Sequence, residues 1–283
     1  MYTLSSSPDR YLVVGNPIAH SLSPKIHRLF AAQTDQSLTY QACRLPPEDF
    51  PGHARRLVER QRLSGLNVTV PFKEAAYHWV DTLSPRARLA GAVNTVSVTA
   101  GGLHGDNTDG VGMVRDMTVN QGIALAGCRL LVLGAGGAVR GVLGPLLDTA
   151  PAAVTIANRT PEKAERLAER FAHRGEVEGL GYDRLAGRRF DLIINGTSAG
   201  LQGQAVPLPA EIVRRGVMVY DMLYAATDTP LLRWARAHGA ERLADGLGML
   251  VEQAAEAFWL WRGVRPDSRA VIRALRPAAA RTD

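Results

Sequence analysis

Short apolar runs alternate along the whole chain with segments whose apolar positions recur at helical spacing. In the first part the runs YLVVG, LTYQACRL, LNVTV and AVNTVSV read as strands, since strands buried in a parallel-rich sheet are almost continuously apolar. Helices are predicted to open at SPKIHRLFAA, PPEDFPGHARRLVER and PFKEAAYHWV. Each has a proline at or near its first turn, where a missing N–H costs nothing. The fourth strand is expected to close into a glycine-rich turn, TAGGLHG. From about residue 128 the alternation becomes more regular: CRLLVLG, AAVTIAN, EVEGL, FDLIIN, VMVYDM and ERLAD, with helices starting near Gly137, Pro161 and Thr229. That is the rhythm of a doubly wound nucleotide-binding sheet. Two helices, LGMLVEQAAEAFWLWRG and PDSRAVIRALR, follow. The fold class is therefore α/β: an N-terminal α/β domain over 1–108, a Rossmann-like doubly wound domain over 109–245 and C-terminal helices over 246–283.

Composition narrows the class without naming a chemistry. At 283 residues, 46% hydrophobic and 21% charged, the chain suits two water-borne α/β units. No apolar run approaches the ~20 residues of a membrane helix, and MYTLSSSPDR lacks the apolar stretch of a signal peptide, so a cytoplasmic location is expected. Cys43 and Cys128 sit in strand-like surroundings with no metal spacing and read as buried reduced thiols; no metal site is expected. The net charge of +6 raises nucleic acid as a partner. Its distribution argues otherwise, because arginines alternate with glutamates on helical faces such as PEKAERLAERFAHR, and small anions would be served equally well.

The stretch LLVLGAGGAVRG joins an apolar strand, a glycine turn and a helix start, the context in which a glycine motif carries weight. Gly134, Gly136 and Gly137, with Ala135 and Ala138 between and after them, would bring a helix N-terminus to a pyrophosphate. Val139 stands where the fingerprint has its last small residue. The alternative is a tight strand-to-helix turn in some other α/β domain. An NAD site places an acid after the next strand; here ANRTPEKA offers Asn158, Arg159, Thr160 and Lys163, with no carboxylate before Glu162. A guanidinium, a hydroxyl and an ammonium suit an adenosine 2′-phosphate and hence NADP. Thr160 with Pro161 also reads as a helix cap.

Four further segments, NPIAHSLSP, NVTVPFK, GAVNT and GDNTDG, set short polar side chains among apolar ones and suggest one polyhydroxy or carboxylate ligand. With GAGGA, NRT, YDMLY and ADGLGMLVEQAAEAF, in this order, they resemble the shikimate dehydrogenase family from about Tyr11 to about Pro266. The resemblance implies reversible NADPH-dependent reduction of 3-dehydroshikimate to shikimate, toward chorismate and the aromatic amino acids. It also implies a substrate-binding first domain on which the final helices pack. It assigns Ser21 and Ser23 to the substrate carboxylate, though Ser23 also reads as an N-cap. Asn67, Thr69, Lys73, Asn94, Asp109 and Gln253 are placed around the ring hydroxyls, and Tyr224 near the carboxylate. On the cofactor side it adds Thr197 in NGTSAG, Met222, Gly246 and Met249. Gly196 replaces the family's usual alanine and is expected to loosen that loop.

Lys73 stands out on its own account. The chain has only three lysines, Lys25, Lys73 and Lys163, among 33 basic residues, and one follows NVTVPF directly. A surface cation tolerates exchange for arginine; a proton-transfer group does not, because guanidinium stays protonated. Lys73 is read as the proton donor and Asp109 as the group that orients and tunes it, against the alternative of an ion pair that only anchors substrate. His20 reads as a loop residue outside the chemistry, and Trp234, Trp259 and Trp261 as core residues. Two rivals remain at this level: an NAD-preferring quinate/shikimate dehydrogenase, and a nicotinamide-binding sensor without turnover. The oligomer is a monomer or a homodimer.

Overall fold

The computed structural model describes residues 8–204 and 206–276. Among the described residues the chain divides into two compact units: one runs to Thr108 and includes Gln253–Leu275, and the other comprises Asp109–Glu252 together with Arg276.

The first unit is built on a six-stranded sheet. Its strands are β1 (Asp9–Gly15), β2 (Leu38–Arg44), β3 (Gly65–Val68), β4 (Thr82–Leu83), β5 (Thr95–Thr99) and β6 (Gly102–Asp106), in the order β2-β1-β3-β5-β6-β4. Between them run α1 (Ser23–Gln33), α2 (Phe50–Gln61), α3 (Lys73–Trp79) and α4 (Pro85–Ala90). One sheet face packs Leu12, Val14, Leu66 and Val68 against Phe50, Phe72 and Trp79. The sheet is mixed: β5 is antiparallel to both β3 and β6. The predicted glycine-rich turn is in fact the hairpin joining β5 to β6. Only Ala100 and Gly101 turn, and Gly102, at φ +106°, already opens β6. Pairing register then does something no single segment reveals. Asn67 lies opposite Thr95, and Thr95 opposite Asp106, so three polar side-chain positions form one row across three strands.

The second unit is a parallel six-stranded sheet of β7 (Arg129–Leu133), β8 (Ala153–Ala157), β9 (Val177–Leu180), β10 (Leu192–Asn195), β11 (Met218–Asp221) and β12 (Arg242–Ala244). Its order, β12-β11-β10-β7-β8-β9, reverses direction at β7. In such sheets ligands sit beyond the carboxyl ends of the strands at this switch point. Before β7 come α5 (Asp109–Arg115) and a π-helical turn (Asp116–Asn120); α6 (Gly137–Leu147), α7 (Pro161–Phe171) and α8 (Pro230–Ala237) follow. Helix α5 was invisible to periodicity, with glycines at 110 and 112. Packing explains Gly110, since a Cβ there would lie 2.6 Å from the Gly141 carbonyl oxygen of α6.

The chain finishes with α9 (Leu247–Arg262) and α10 (Ser268–Leu275). Of the segment 246–283 expected on the first domain, Gln253–Leu275 groups with the first unit and the first turns of α9 group with the second. Residues 277–283 lie outside the described part. Two further expectations are corrected. Cys43 and Cys128 are half-buried rather than buried, both lying at strand margins. Trp259 is 43% exposed, beneath the Arg265 guanidinium at 5.2 Å, and does not enter a core. Trp261 does, stacking on Tyr11 at 4.5 Å and donating its indole N–H to the Val96 carbonyl.

Candidate active site

In the first unit the polar row is the foundation. Both amide hydrogens of Asn67 are engaged, donated to the Asn94 carbonyl at 3.1 Å and to Thr95 Oγ1 at 3.0 Å. Its Oδ1 accepts from the Tyr40 hydroxyl at 2.7 Å. Asn94 is fixed as tightly: Oδ1 accepts from the Thr108 N–H at 2.9 Å, and Nδ2 donates to Thr108 Oγ1 at 2.9 Å and to Gln253 Oε1 at 3.3 Å. Thus Asn67, Asn94 and Gln253, far apart in sequence, are one hydrogen-bonded group. Buried polar groups so satisfied hold a single orientation. Asp106, at the end of the row, takes a bidentate pair from Arg86 at 2.7 and 2.8 Å. Burial alone would raise its carboxyl, but the hydrogen bonds from Arg86 and from Ser84 hold it below the usual range. Arg86 also reaches Glu256 of α9 at 3.1 Å, fastening α4 to that helix.

Ser21 and Ser23 stand at the entrance to α1. The Ser21 hydroxyl accepts the Ser23 N–H at 3.3 Å. The expectation that Ser23 caps the helix is corrected: Ser23 is the first helical residue and Leu22 occupies the cap position, and it is the Ser21 hydroxyl that takes the first helical N–H, that of Ser23. Tyr40 links this entrance to Asn67, its phenol pushed well above the usual range by burial and partly restrained by a hydrogen bond with Ser23. Behind it His27, 1% exposed, stacks on the Tyr40 ring at 4.0 Å. Burial lowers the His27 pKa from 6.5 to about 3. Thr69 follows β3, its N–H bound to the Val14 carbonyl at 2.9 Å. Half-buried Lys73 opens α3, with its carbonyl taking the Val93 N–H at 2.9 Å.

In the second unit the predicted cofactor residues gather at the carboxyl ends of the strands. Gly134 leaves β7 at φ +105°, a conformation that only glycine adopts readily. Gly136 occupies the cap of α6, and a Cβ added there would meet nothing within 4 Å among the described residues. The α6 N-terminus with Gly137 and Ala138 therefore faces open space, as an anion cradle requires. Thr197 donates from Oγ1 and N to Asn195 Oδ1, at 2.8 and 3.0 Å, and Asn195 in turn donates to buried Asp221 at 2.9 Å. Met222 follows Asp221 directly, and Tyr224 is 38% exposed on the same loop. A Cβ at Gly246 would lie 2.1 Å from the Met222 carbonyl oxygen, so a side chain is barred there; Met249 lies one turn on. Asp109, 5% exposed, opens α5.

After β8, Arg159, Thr160 and Lys163 are exposed, and Asn158 donates to the Thr160 carbonyl at 2.9 Å. Thr160 does sit in the cap position of α7. Its side chain makes no capping bond among the described residues, so the expected second role is corrected. The Gly196 expectation also changes. A Cβ at Gly196 would sit 2.5 Å from Val139 Cγ2 and 3.1 Å from Met222 Sδ. Glycine at 196 makes room for valine at 139, so the two departures from pattern compensate each other.

The family described as shikimate dehydrogenase substrate binding domain matches residues 13–96, and that described as shikimate / quinate 5-dehydrogenase matches 117–202. The shikimate 5′-dehydrogenase C-terminal domain matches 246–276. A protein of Alkalilimnicola ehrlichii named shikimate dehydrogenase (NADP(+)) is 58% identical over 269 residues, covering 95% of this chain and 99% of the relative. This chain belongs to the shikimate dehydrogenase family. Among solved structures, the shikimate 5-dehydrogenase of Thermus thermophilus in complex with NADP(H) and shikimate superposes with a TM-score of 0.83 at 37% identity, covering 94% of this chain and 98% of that one. An Ael1 enzyme from Pseudomonas putida gives 0.89 at 45% identity, covering 95% and 99%.

The framing residues Tyr40, Arg86, Thr95 and Thr108 are not among those that the sequence pattern singles out. Thr108 was in plain view inside GDNTDG, directly before Asp109. Tyr40 and Arg86 left no local signal, because each acts through a partner at least 20 positions away.

Proposed function

We propose that this chain catalyses the reversible NADPH-dependent reduction of 3-dehydroshikimate to shikimate, an oxidoreductase step toward chorismate and the aromatic amino acids. The observation that carries the reading is the 58% identity, over 99% of its length, with a relative named shikimate dehydrogenase (NADP(+)). The nucleotide end fits the cofactor: the open cradle at Gly136 suits a pyrophosphate, and exposed Arg159, Thr160 and Lys163 suit a 2′-phosphate. Bound there, the reduced nicotinamide supplies a hydride to the ketone carbon.

The remaining roles fall to side chains. Ser21 and Ser23 hold the substrate carboxylate where the first N–H groups of α1 favour an anion. Asn67, Thr69, Asn94 and Gln253 read the ring hydroxyls, and Tyr224 closes on the carboxylate side. Because both Asn67 amide hydrogens and one lone pair of Oδ1 are already engaged, Asn67 offers a substrate hydroxyl only an acceptor. Lys73 Nζ gives a proton to the oxygen on which negative charge develops and takes it back in the oxidative direction. The tuning of that proton transfer is the role we assign to Asp109. Met222, Gly246 and Met249 bound the nicotinamide, and the strict need for glycine at 246 keeps that wall thin.

Initial rates with NADPH or NADH, and with shikimate or quinate in the oxidative direction, test the reading. NADPH strongly preferred, with shikimate far ahead of quinate, is the expected result. Comparable use of NADH and quinate would overturn the cofactor and substrate assignment. No turnover with any of them would leave only nicotinamide binding.

A further inference from the structure

The second unit contains a buried hydrogen-bonded cluster with no role in the chemistry above. Asp116 and Tyr220 are 0% exposed and Glu252 is 1% exposed. The Tyr220 hydroxyl donates to Asp116 Oδ2 at 2.7 Å. Asn120 Nδ2 is shared between Asp116 Oδ1 at 3.0 Å and Glu252 Oε1 at 2.9 Å. Arg115 pairs with the other Glu252 oxygen at 3.0 Å. Burial, with the Glu252 carboxylate adding to it, lifts Asp116 above the ordinary carboxylate range. Asp116 and Asn120 bound the π-helical turn, a widened turn that recurs where function displaces regular helix.

Three chain segments meet at this cluster, and each leads to a residue with a proposed role. Helix α5 starts with Asp109, β11 runs into Met222, and α9 carries Met249 and continues to Gln253. The fit on α9 is close: a Cβ at Gly248 would lie 2.0 Å from Asp116 Oδ1. Residues 248 and 252 are one helical turn apart and share the face that meets Asp116 and Asn120. Residues 249 and 253, each one position later, share the neighbouring face. Any rotation of α9 that breaks the cluster therefore carries Met249 and Gln253 away together. A purely structural core is served as well or better by apolar side chains, whereas buried polar pairs admit one arrangement.

We propose that Asp116, Asn120, Tyr220 and Glu252 are positioning residues that fix the rotation of α9 and thereby set Met249 and Gln253 for hydride transfer. This rests on the function proposed above.

The test compares the whole protein with the variants Glu252→Leu, Glu252→Gln and Tyr220→Phe, measuring kcat, KM for shikimate, NADPH Kd, thermal midpoint and amide hydrogen exchange. Glu252→Leu is expected to lower kcat about 10–100-fold, as ångström-scale misplacement does, with NADPH Kd within about threefold. Exchange should rise in 247–253 but not in β7. Glu252→Gln keeps an acceptor for Asn120 and should stay within about threefold of wild-type kcat. Tyr220→Phe, should Glu252→Leu fail to fold, is expected to lower kcat about 3–10-fold with the same local exchange change. A lowered thermal midpoint with kcat unchanged would make the cluster merely structural and overturn the proposal. If the wild-type protein turns over neither shikimate nor quinate, the functional reading falls, and exchange decides alone: a local rise in 247–253 supports the positioning role, and none overturns it.

Discussion

Acid should loosen the first unit through His27 before it reaches most of the protein. The ring is 1% exposed, stacks on Tyr40 at 4.0 Å and packs against Phe30, Phe258 and Trp261. Burial holds its pKa at about 3, against 6.5 in the unfolded chain. The folded state keeps the neutral ring while the unfolded chain takes up a proton, so the stabilisation is complete above about 6.5 and declines as pH falls toward about 3. Each unit of that gap is worth ~1.4 kcal/mol. At about pH 5, some 1.5 units below the unfolded value, the loss is about 2 kcal/mol, and it grows by ~1.4 kcal/mol per further unit. Against a total of about 5–15 kcal/mol for a domain, that is decisive. The assay is urea unfolding of the wild-type protein and of His27→Leu at about pH 8 and about pH 5. It is followed by tryptophan fluorescence, since Trp79, Trp259 and Trp261 all lie in the first unit. Leucine removes the titration at similar volume, and every other titrating group cancels in the difference. The wild-type protein should lose about 2 kcal/mol more than the variant between the two conditions. A difference below about 0.5 kcal/mol, the usual error of such extrapolations, would refute the reasoning, because the folded protein would then accept the proton without penalty.

Other expectations follow from the site. Lys73→Ala should lower turnover by about 10²–10⁴-fold while NADPH affinity by calorimetry stays within about threefold; lost NADPH binding would contradict the proton-donor role. Arg159→Ala removes one charge-assisted contact, worth about 1.5–3 kcal/mol, and should raise KM for NADPH about 10–100-fold with NADH hardly affected; a matching rise for NADH would remove Arg159 from the phosphate site. Gly196→Ala places a Cβ 2.5 Å from Val139 Cγ2 and should destabilise the protein by about 1–3 kcal/mol. Val139→Ala in the same chain should recover most of that loss; additive effects in thermal unfolding would show that the two positions are independent.

The second unit was largely legible because parallel strands buried on both faces are written as plain apolar runs, and β7, β8, β10 and β11 all lie within such runs. The glycine turn was legible because it too is local: Gly134, at φ +105°, answers a demand of its own backbone. What escaped depends on distant partners. Strand β6 reads GLHGD, with little to mark it until its antiparallel register against β5 is known. Helix α5 reads DGVGMVR, poor in propensity and formed because Gly110 lets it approach α6. The row from Asn67 through Thr95 to Asp106 is a property of pairing, not of any segment. Likewise the meaning of Gly196 lay in Val139, 57 positions earlier in the chain.

Helix α9 has a consequence for how this protein is made. A ribosome releases the chain from its N-terminus, yet the first unit includes Gln253–Leu275. Until that stretch emerges, Tyr11 has no Trp261 to stack on, the Val96 carbonyl lacks its indole donor, and Phe30 and His27 lack Phe258. The second unit has nearly all its residues by Glu252. The half synthesised first is thus the half completed last. During translation its open aromatic face waits on the ribosome, where a pause or a truncation shortly before Gln253 would leave a finished nucleotide-binding unit tethered to an unfinished one.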